Sequence, residues 1–331
     1  MSAAEGISGT NPGDDSILPF QLDRAGMRGR VVRLDRTLDA ILSQHDYPAP
    51  VAALVSEAAL LTALIGQAVK LRWRFSLQIR GEGAIRLIAT DYFAPEQEGE
   101  PARMRAWAGF DAEALAADAP AFAQIGAGVM GVTIDQGPDM IPYQGLTPLV
   151  GSSLSASMET YFAQSEQIAT RFAVTAALAE APGEAPAWRG GGVMIQQMPG
   201  EGGIAPDAPG GEDGLMSAED VAGMEGREED WSRVAILLST VETHELVGPL
   251  VPAENLLVRL FHEEGPRVWP PQAVRFGCTC SADRVEGALA GFSAEEIAEM
   301  TTPEGHVAAD CQFCGARYRL DPAAFAAGAG R

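Results

Sequence analysis

The chemistry in this sequence is concentrated in four cysteines. They stand as Cys278-Thr279-Cys280 and Cys311-Gln312-Phe313-Cys314, and residues 281–310 lie between the pairs. Zinc takes soft donors in a tetrahedron, and two close pairs on two loops supply them. The Cys-x-x-Cys half is a common zinc knuckle. The Cys-x-Cys half is unusual, because ligands one residue apart must splay to reach one ion. Zn2+, one per chain in the reduced form, is the expected cofactor, held by Cys278, Cys280, Cys311 and Cys314. His306 is a rival ligand, but four thiolates already fill the tetrahedron. His45, His244 and His262 show no ligand spacing with each other. Between the pairs, Ser293-Ala294-Glu295-Glu296 is a capping-box signature that opens a helix. From spacing alone, the plainest function is a purely structural zinc ribbon, a constitutive binding module.

The rest of the chain must position that centre. A length of 331 residues gives about two domains and ample core. The 45 acidic and 23 basic residues leave a formal charge of −22. That balance argues against a partner that is nucleic acid or an anionic membrane, since phosphate contacts need clustered Lys and Arg. Arg275, Arg284, Arg317 and Arg319 add local positive charge without changing it. So few cysteines exclude a disulfide-stapled secreted domain. Met1 to Asp15 has neither a basic start nor an apolar stretch. The uncharged, strongly apolar run Ala58 to Val69 is shorter than the roughly 20 residues of a bilayer span. The expectation is a soluble cytoplasmic protein, in which paired cysteines serve as metal ligands or redox groups.

Periodicity predicts an α+β fold: an N-terminal domain with an antiparallel sheet and packed helices, a helical linker, and a small C-terminal zinc-binding domain. Residues 1–17 read as a flexible tail and 18–199 as the N-terminal domain. Val31, Val32 and Leu34 predict a strand. Val51 to Lys70 is apolar on almost every face, which predicts an enclosed helix. Phe75, Leu77 and Ile79 alternate with polar residues, as do Ile85, Leu87 and Ala89, around Gly81-Glu82-Gly83, which predicts a hairpin. Further strands are expected at Arg103 to Ala108, Val129 to Ile134, Tyr143 to Val150, Ile168 to Val174 and Gly191 to Met198, with a helix over Ser153 to Ser165. Residues 200–230 hold ten acidic residues and one Arg, which reads as a disordered acidic insertion. Residues 231–275 read as the linker. Trp231, Val234, Ala235, Leu238 and Val241 form one apolar stripe in it, and Leu256, Leu257, Leu260 and Phe261 a second. Residues 276–322 form the zinc domain and 323–331 a tail. No nucleotide loop is present: Gly190-Gly191-Gly192 is not followed by Lys.

The stretch Phe276-Gly-Cys-Thr-Cys-Ser-Ala-Asp-Arg-Val-Glu286, with Cys311-Gln-Phe-Cys-Gly-Ala-Arg-Tyr318, resembles the redox-regulated chaperones of the heat shock protein 33 family. Asp46-Tyr47-Pro48, Gln78-Ile79-Arg80-Gly81-Glu82-Gly83, Tyr143-Gln144-Gly145 and Tyr161-Phe-Ala-Gln-Ser-Glu-Gln167 are similar to segments of its N-terminal domain. Leu256 to Glu264 is similar to its linker helix. The departures are the acidic insertion and a longer N-terminal tail. The resemblance implies an ATP-independent holdase, not an enzyme, that is zinc-bound and inactive when reduced. It implies that oxidation pairs Cys278 with Cys280 and Cys311 with Cys314, releases zinc and unfolds the linker. The implied partners are unfolding client proteins, a second copy in an oxidised homodimer, and ATP-dependent chaperones that receive the clients. The enzyme alternative, a thiol–disulfide oxidoreductase resting on Cys311-x-x-Cys314, lacks the expected strand–helix context.

Overall fold

The computed structural model describes residues 14–180, 185–198 and 218–326. Residues 1–13, 181–184, 199–217 and 327–331 lie outside them, and these include much of both expected tails and 200–217 of the expected acidic insertion. In chain order, β1 (Ser16–Leu22) and β2 (Met27–Leu34) form a hairpin, followed by α1 (Arg36–Leu42) and α2 (Ala49–Ala68). Next come β3 (Arg74–Gly81), β4 (Ile85–Phe93), β5 (Ala102–Phe110), β6 (Gly128–Asp135) and β7 (Tyr143–Pro148), then α3 (Leu154–Tyr161), β8 (Thr170–Ala179) and β9 (Ala187–Gln197). Helices α4 (Ala218–Ser239), α5 (Thr243–Val247) and α6 (Ala253–Phe261) lead to two short strands, β10 (Pro266–Val268) and β11 (Gln272–Phe276). The strands make one sheet in the order β7-β6-β3-β4-β5-β11-β1-β2-β9-β8, with β10 also beside β1. The α+β class expected from periodicity is the class observed.

Alternation along each strand sorts the two faces. On β5, Ala102, Met104, Ala106 and Ala108 are buried in the larger core, so Arg103, Arg105 and Trp107 project from the opposite face. The larger core holds α2, whose residues are buried on nearly every side. This helix is long and apolar enough to cross a membrane, but most of it lies inside the protein. On the other face, Leu18, Phe20, Leu22, Met27, Val31, Val193 and Ile195 pack against Val234, Leu238, Leu256, Leu257, Leu260 and Phe261. The two linker stripes are therefore the cover of the sheet, and Phe20 stacks on Phe261 at 6.1 Å. The glycine run has a packing reason: a Cβ on Gly191 would stand 1.8 Å from the Leu246 carbonyl oxygen.

Four boundaries differ from the sequence reading, the simplest being the expected tail 323–331, which opens with a short helix, Ala323–Ala326, whose Phe325 packs on a small cluster around Ile297. The expected tail 1–17 overlaps β1, which begins at Ser16, and Asp14 and Asp15 are already anchored. Asp14 pairs with Arg189 at 2.6 Å, and Asp15 Oδ1 accepts from the backbone N–H groups of Asp35 and Thr37 at 2.9 Å. Pro19 masks this strand, because proline inside a run reads as a break. It is tolerated where the outer partner of β1 changes from β11 (at 16–17) to β10 (at 20–22), so no ladder bond is lost there. The expected disordered insertion 200–230 is helical from Ala218, at the start of α4. Its acidic composition reads as disorder, yet Glu, Ala and Met are good helix formers, and burial of Val234 and Leu238 holds the helix they extend. The expected linker 231–275 ends not in helix but in β10 and β11, which complete the N-terminal sheet. β11 lies antiparallel to β1 and parallel to β5, the one parallel pairing among the described strands.

Truncation of a fully buried ring tests the seating of α6. Phe261→Ala is expected to lower stability in urea by about 3–5 kcal/mol, followed by circular dichroism. Val258→Ala, at a 55 % exposed position of the same helix, is expected to change it by less than about 0.5 kcal/mol. Equal effects would contradict the packing described.

Candidate metal centre

The second unit is small. α7 (Ala282–Leu289) and α8 (Ala294–Met300) join the two cysteine pairs, and β12 (Val307–Asp310) pairs with β13 (Arg317–Leu320). The capping box forms as expected, with Ser293 accepting from the Glu296 N–H and Glu296 accepting from the Ser293 N–H. α7 buries no residue, and Ile297, Val307 and Leu320 are the buried core. Such a core is far too small to hold nearly fifty residues unaided.

Cys278 and Cys280 follow β11 directly, and Cys311 and Cys314 form the turn between β12 and β13. In that turn Gly315 N–H donates to the Cys311 carbonyl and Cys311 N–H to the Ala316 carbonyl, each at 2.8 Å. Gly315 takes φ +64°, a left-handed value that suits glycine. All four sulfurs lie within 4.8 Å of one another. Cys278 Sγ is 3.6 Å from Cys311 Sγ, and Cys280 Sγ is 3.4 Å from Cys314 Sγ. A tetrahedron with zinc–sulfur bonds of about 2.3 Å has edges of roughly 3.8 Å, so the sulfurs already stand near ligand spacing. The Cys-x-Cys pair splays as required, each sulfur meeting one from the other pair.

The electrostatics also call for a cation. Burial pushes the Cys278 thiol up, but the Cys280 N–H, the Arg105 guanidinium and the neighbouring thiols outweigh it and bring it to about 7. Burial raises Cys311. Cys314 is pushed up to about 12, first by burial and then by the adjacent sulfurs. Crowded sulfurs resist a second negative charge, and a central dication relieves that conflict.

A family model described as Hsp33 protein matches residues 15–321. The chain belongs to the Hsp33 family. It is 38 % identical over 315 residues to the 33 kDa chaperonin of Caulobacter vibrioides, covering 93 % of this chain and 95 % of that one. It is 30 % identical over 307 residues to the 33 kDa chaperonin of Nitrosococcus oceani, covering 93 % and 91 %. Its fold is similar to the crystal structure of the 33 kDa chaperonin, a heat shock protein 33 homologue, from Thermotoga maritima. That match has a TM-score of 0.70 at 19 % identity and covers 95 % and 97 % of the two chains. Hsp33 is a chaperone family, in keeping with the resemblance carried by the cysteine motifs.

In this Hsp33-family chain the structure brings together all four expected ligands and leaves His306 outside, hydrogen-bonded to Thr302 at 3.2 Å. Sequence reasoning missed the groups around them. Tyr318 donates its hydroxyl to Cys280 Sγ at 3.0 Å, which pushes its own proton affinity up to about 12. Arg105 reaches from β5 to Cys278 Sγ at 3.5 Å and Thr279 Oγ1 at 3.3 Å. It pairs with Asp91 at 2.7 Å and lies 4.0 Å from the centre of the Phe313 ring. Alternation could have placed Arg105 on an outer face, but no spacing connects it to a cysteine so distant in sequence. The expected positive patch is partly committed: Arg284 donates to the Thr279 carbonyl at 2.7 Å.

Removal of one ligand tests the cluster. Cys311→Ser is expected to reduce metal content from about one ion per chain by tenfold or more, measured by plasma mass spectrometry on the reduced protein. Tyr318→Phe should keep its metal, because its hydroxyl donates to Cys280 Sγ and is not among the four converging sulfurs. Full metal retention by Cys311→Ser would refute a four-sulfur centre.

Proposed function

We propose that this chain is an ATP-independent holdase switched on by oxidation, with zinc as the ion held by Cys278, Cys280, Cys311 and Cys314. The observation that carries the reading is the convergence of four sulfurs in a unit whose buried core is three residues. Bound zinc keeps the sulfurs as thiolates and contributes folding energy on the order of 10 kcal/mol. Thiolates are the form that oxidants attack. Hypochlorous acid takes two electrons from Cys278 and Cys280, forming one S–S bond and leaving chloride and hydroxide. A second equivalent pairs Cys311 with Cys314. Sulfurs in disulfides are no longer thiolate ligands, and both rings are too short to constrain the chain in place of the metal.

The consequence runs back along the chain. Cys278 is two residues beyond β11, and Gly277 N–H donates to the Met104 carbonyl on β5 at 2.9 Å. β11 is held by only a few residue pairs on each side. Its loosening leaves α6 and α4 without their C-terminal anchor. Freed, they expose Leu18, Phe20, Met27 and Val193 on the sheet and Leu256, Leu260 and Phe261 on the helix. Contiguous apolar surface of this kind binds unfolded chains without sequence preference, and a charge of −22 helps keep that state soluble. A dimeric oxidised form, transfer of clients to ATP-dependent chaperones and a cytoplasmic location belong to the same reading.

The test measures zinc and client protection on one sample. Only the oxidised chain is expected to suppress light scattering by a heat-unfolded client, with zinc lost in parallel to a colorimetric chelator. Equal suppression by the reduced, zinc-loaded chain would reject the switch and favour the constitutive ribbon.

A further inference from the structure

We propose that Arg105 is the latch that docks the cysteine unit onto the N-terminal sheet. The argument begins in the sheet. Ser76, Asp91 and Arg105 stand opposite one another on β3, β4 and β5. Ser76 donates its hydroxyl to Asp91 Oδ1, and Asp91 Oδ2 holds Arg105. Asp91 and Ser76 are each 6 % exposed, so the guanidinium is aimed by a buried, fully directed carboxylate. Its remaining donors leave the sheet and meet the other unit at Cys278 and Thr279, while its flat face lies over Phe313. Among the described residues, every side-chain hydrogen bond between 278–326 and the sheet is made by Arg105. One side chain therefore touches both cysteine pairs: the first at Cys278 and Thr279, the second at Phe313, which sits between Cys311 and Cys314.

This placement matters to the redox reading, on which its last step rests. Either disulfide would move a group that Arg105 holds, so oxidation of either pair weakens the same contact. Release of the latch frees the chain that begins at Gly277 and continues back into β11. Arginine is required, since only a planar fork pairs with Asp91, donates onward and stacks on Phe313 at once. Lysine offers a point charge and no face.

The experiment is hydrogen exchange with mass spectrometry on the reduced, metal-loaded full chain. Arg105→Lys is expected to raise exchange in 272–279 and 311–318 by about tenfold, the scale of one charged hydrogen bond, at unchanged metal content. Arg105→Ala would strand the buried Asp91 carboxylate, so D91N/R105M removes the latch without leaving an unpaired buried charge. Phe313→Leu attacks the latch from the other side and leaves the Asp91–Arg105 pair alone. Under a fixed dose of hypochlorous acid, R105K, D91N/R105M and F313L should each lose metal several-fold faster than wild type, the same contact having been weakened. Exchange and release rates equal to wild type in R105K, D91N/R105M and F313L would overturn the latch. If wild type itself keeps its metal after oxidation, the redox reading fails, while the exchange comparison on the reduced chain still decides the role of Arg105.

Discussion

Four sulfurs crowded within 4.8 Å cannot all carry charge without a cation among them. That constraint governs the C-terminal unit. Its apolar core is Ile297, Val307 and Leu320, with Val285, Leu289, Tyr318 and Phe325 only partly covered. Hydrophobic burial on this scale does not offset the conformational entropy of ordering the chain. The knuckle turn, the capping box and the β12–β13 pairing shape the unit, but the sulfurs must be reconciled before it can be ordered. On the proposed reading, the thiolates that supply fold stability are also the groups that electrophiles attack.

The connection between that unit and the rest is unusually direct. β11 lies in the interior of the sheet, between β5 and β1, although it comes from the chain segment just before Cys278. It joins an antiparallel set built of β7, β6, β3, β4 and β5 to another built of β1, β2, β9 and β8. The two sets are each zipped over long registers, whereas β11 contributes five residues. The least extensively paired interior strand is thus the one tied to the cysteines. Mechanical coupling here requires no long path, only continuity of the backbone from Phe276 through Gly277 to Cys278.

The apolar cover follows the same logic. Phe20, Phe261 and Leu256 are almost wholly buried, but the surface they share lies between a sheet and helices delivered by the linker. Arg233 ties α4 to the buried Glu264 at 2.8 Å, just beyond α6. The packing is therefore a docked layer over one sheet face, distinct from the α2-centred core on the other. The larger core, with Leu60, Leu61 and Phe75, shares no buried residue with that layer.

The four-cysteine cluster, the α+β class, the enclosed helix over Val51 to Lys70 and the β3–β4 hairpin were legible in the sequence alone. Each is a local signal: close cysteine spacing, helical periodicity without a polar face, or alternation around glycine. The two linker stripes were legible as apolar faces, though not as the cover of β1, β2 and β9. Tertiary structure decided what local pattern cannot encode. It placed β10 and β11 in a sheet that composition seemed to close before residue 200, and it rescued β1 from the apparent break at Pro19. It also brought Arg105 beside Cys278. Spacing rules describe residues that share one turn, strand or loop. The partners of β11 and Arg105 are set by chain return over more than a hundred residues, where only packing and buried charge specify who meets whom.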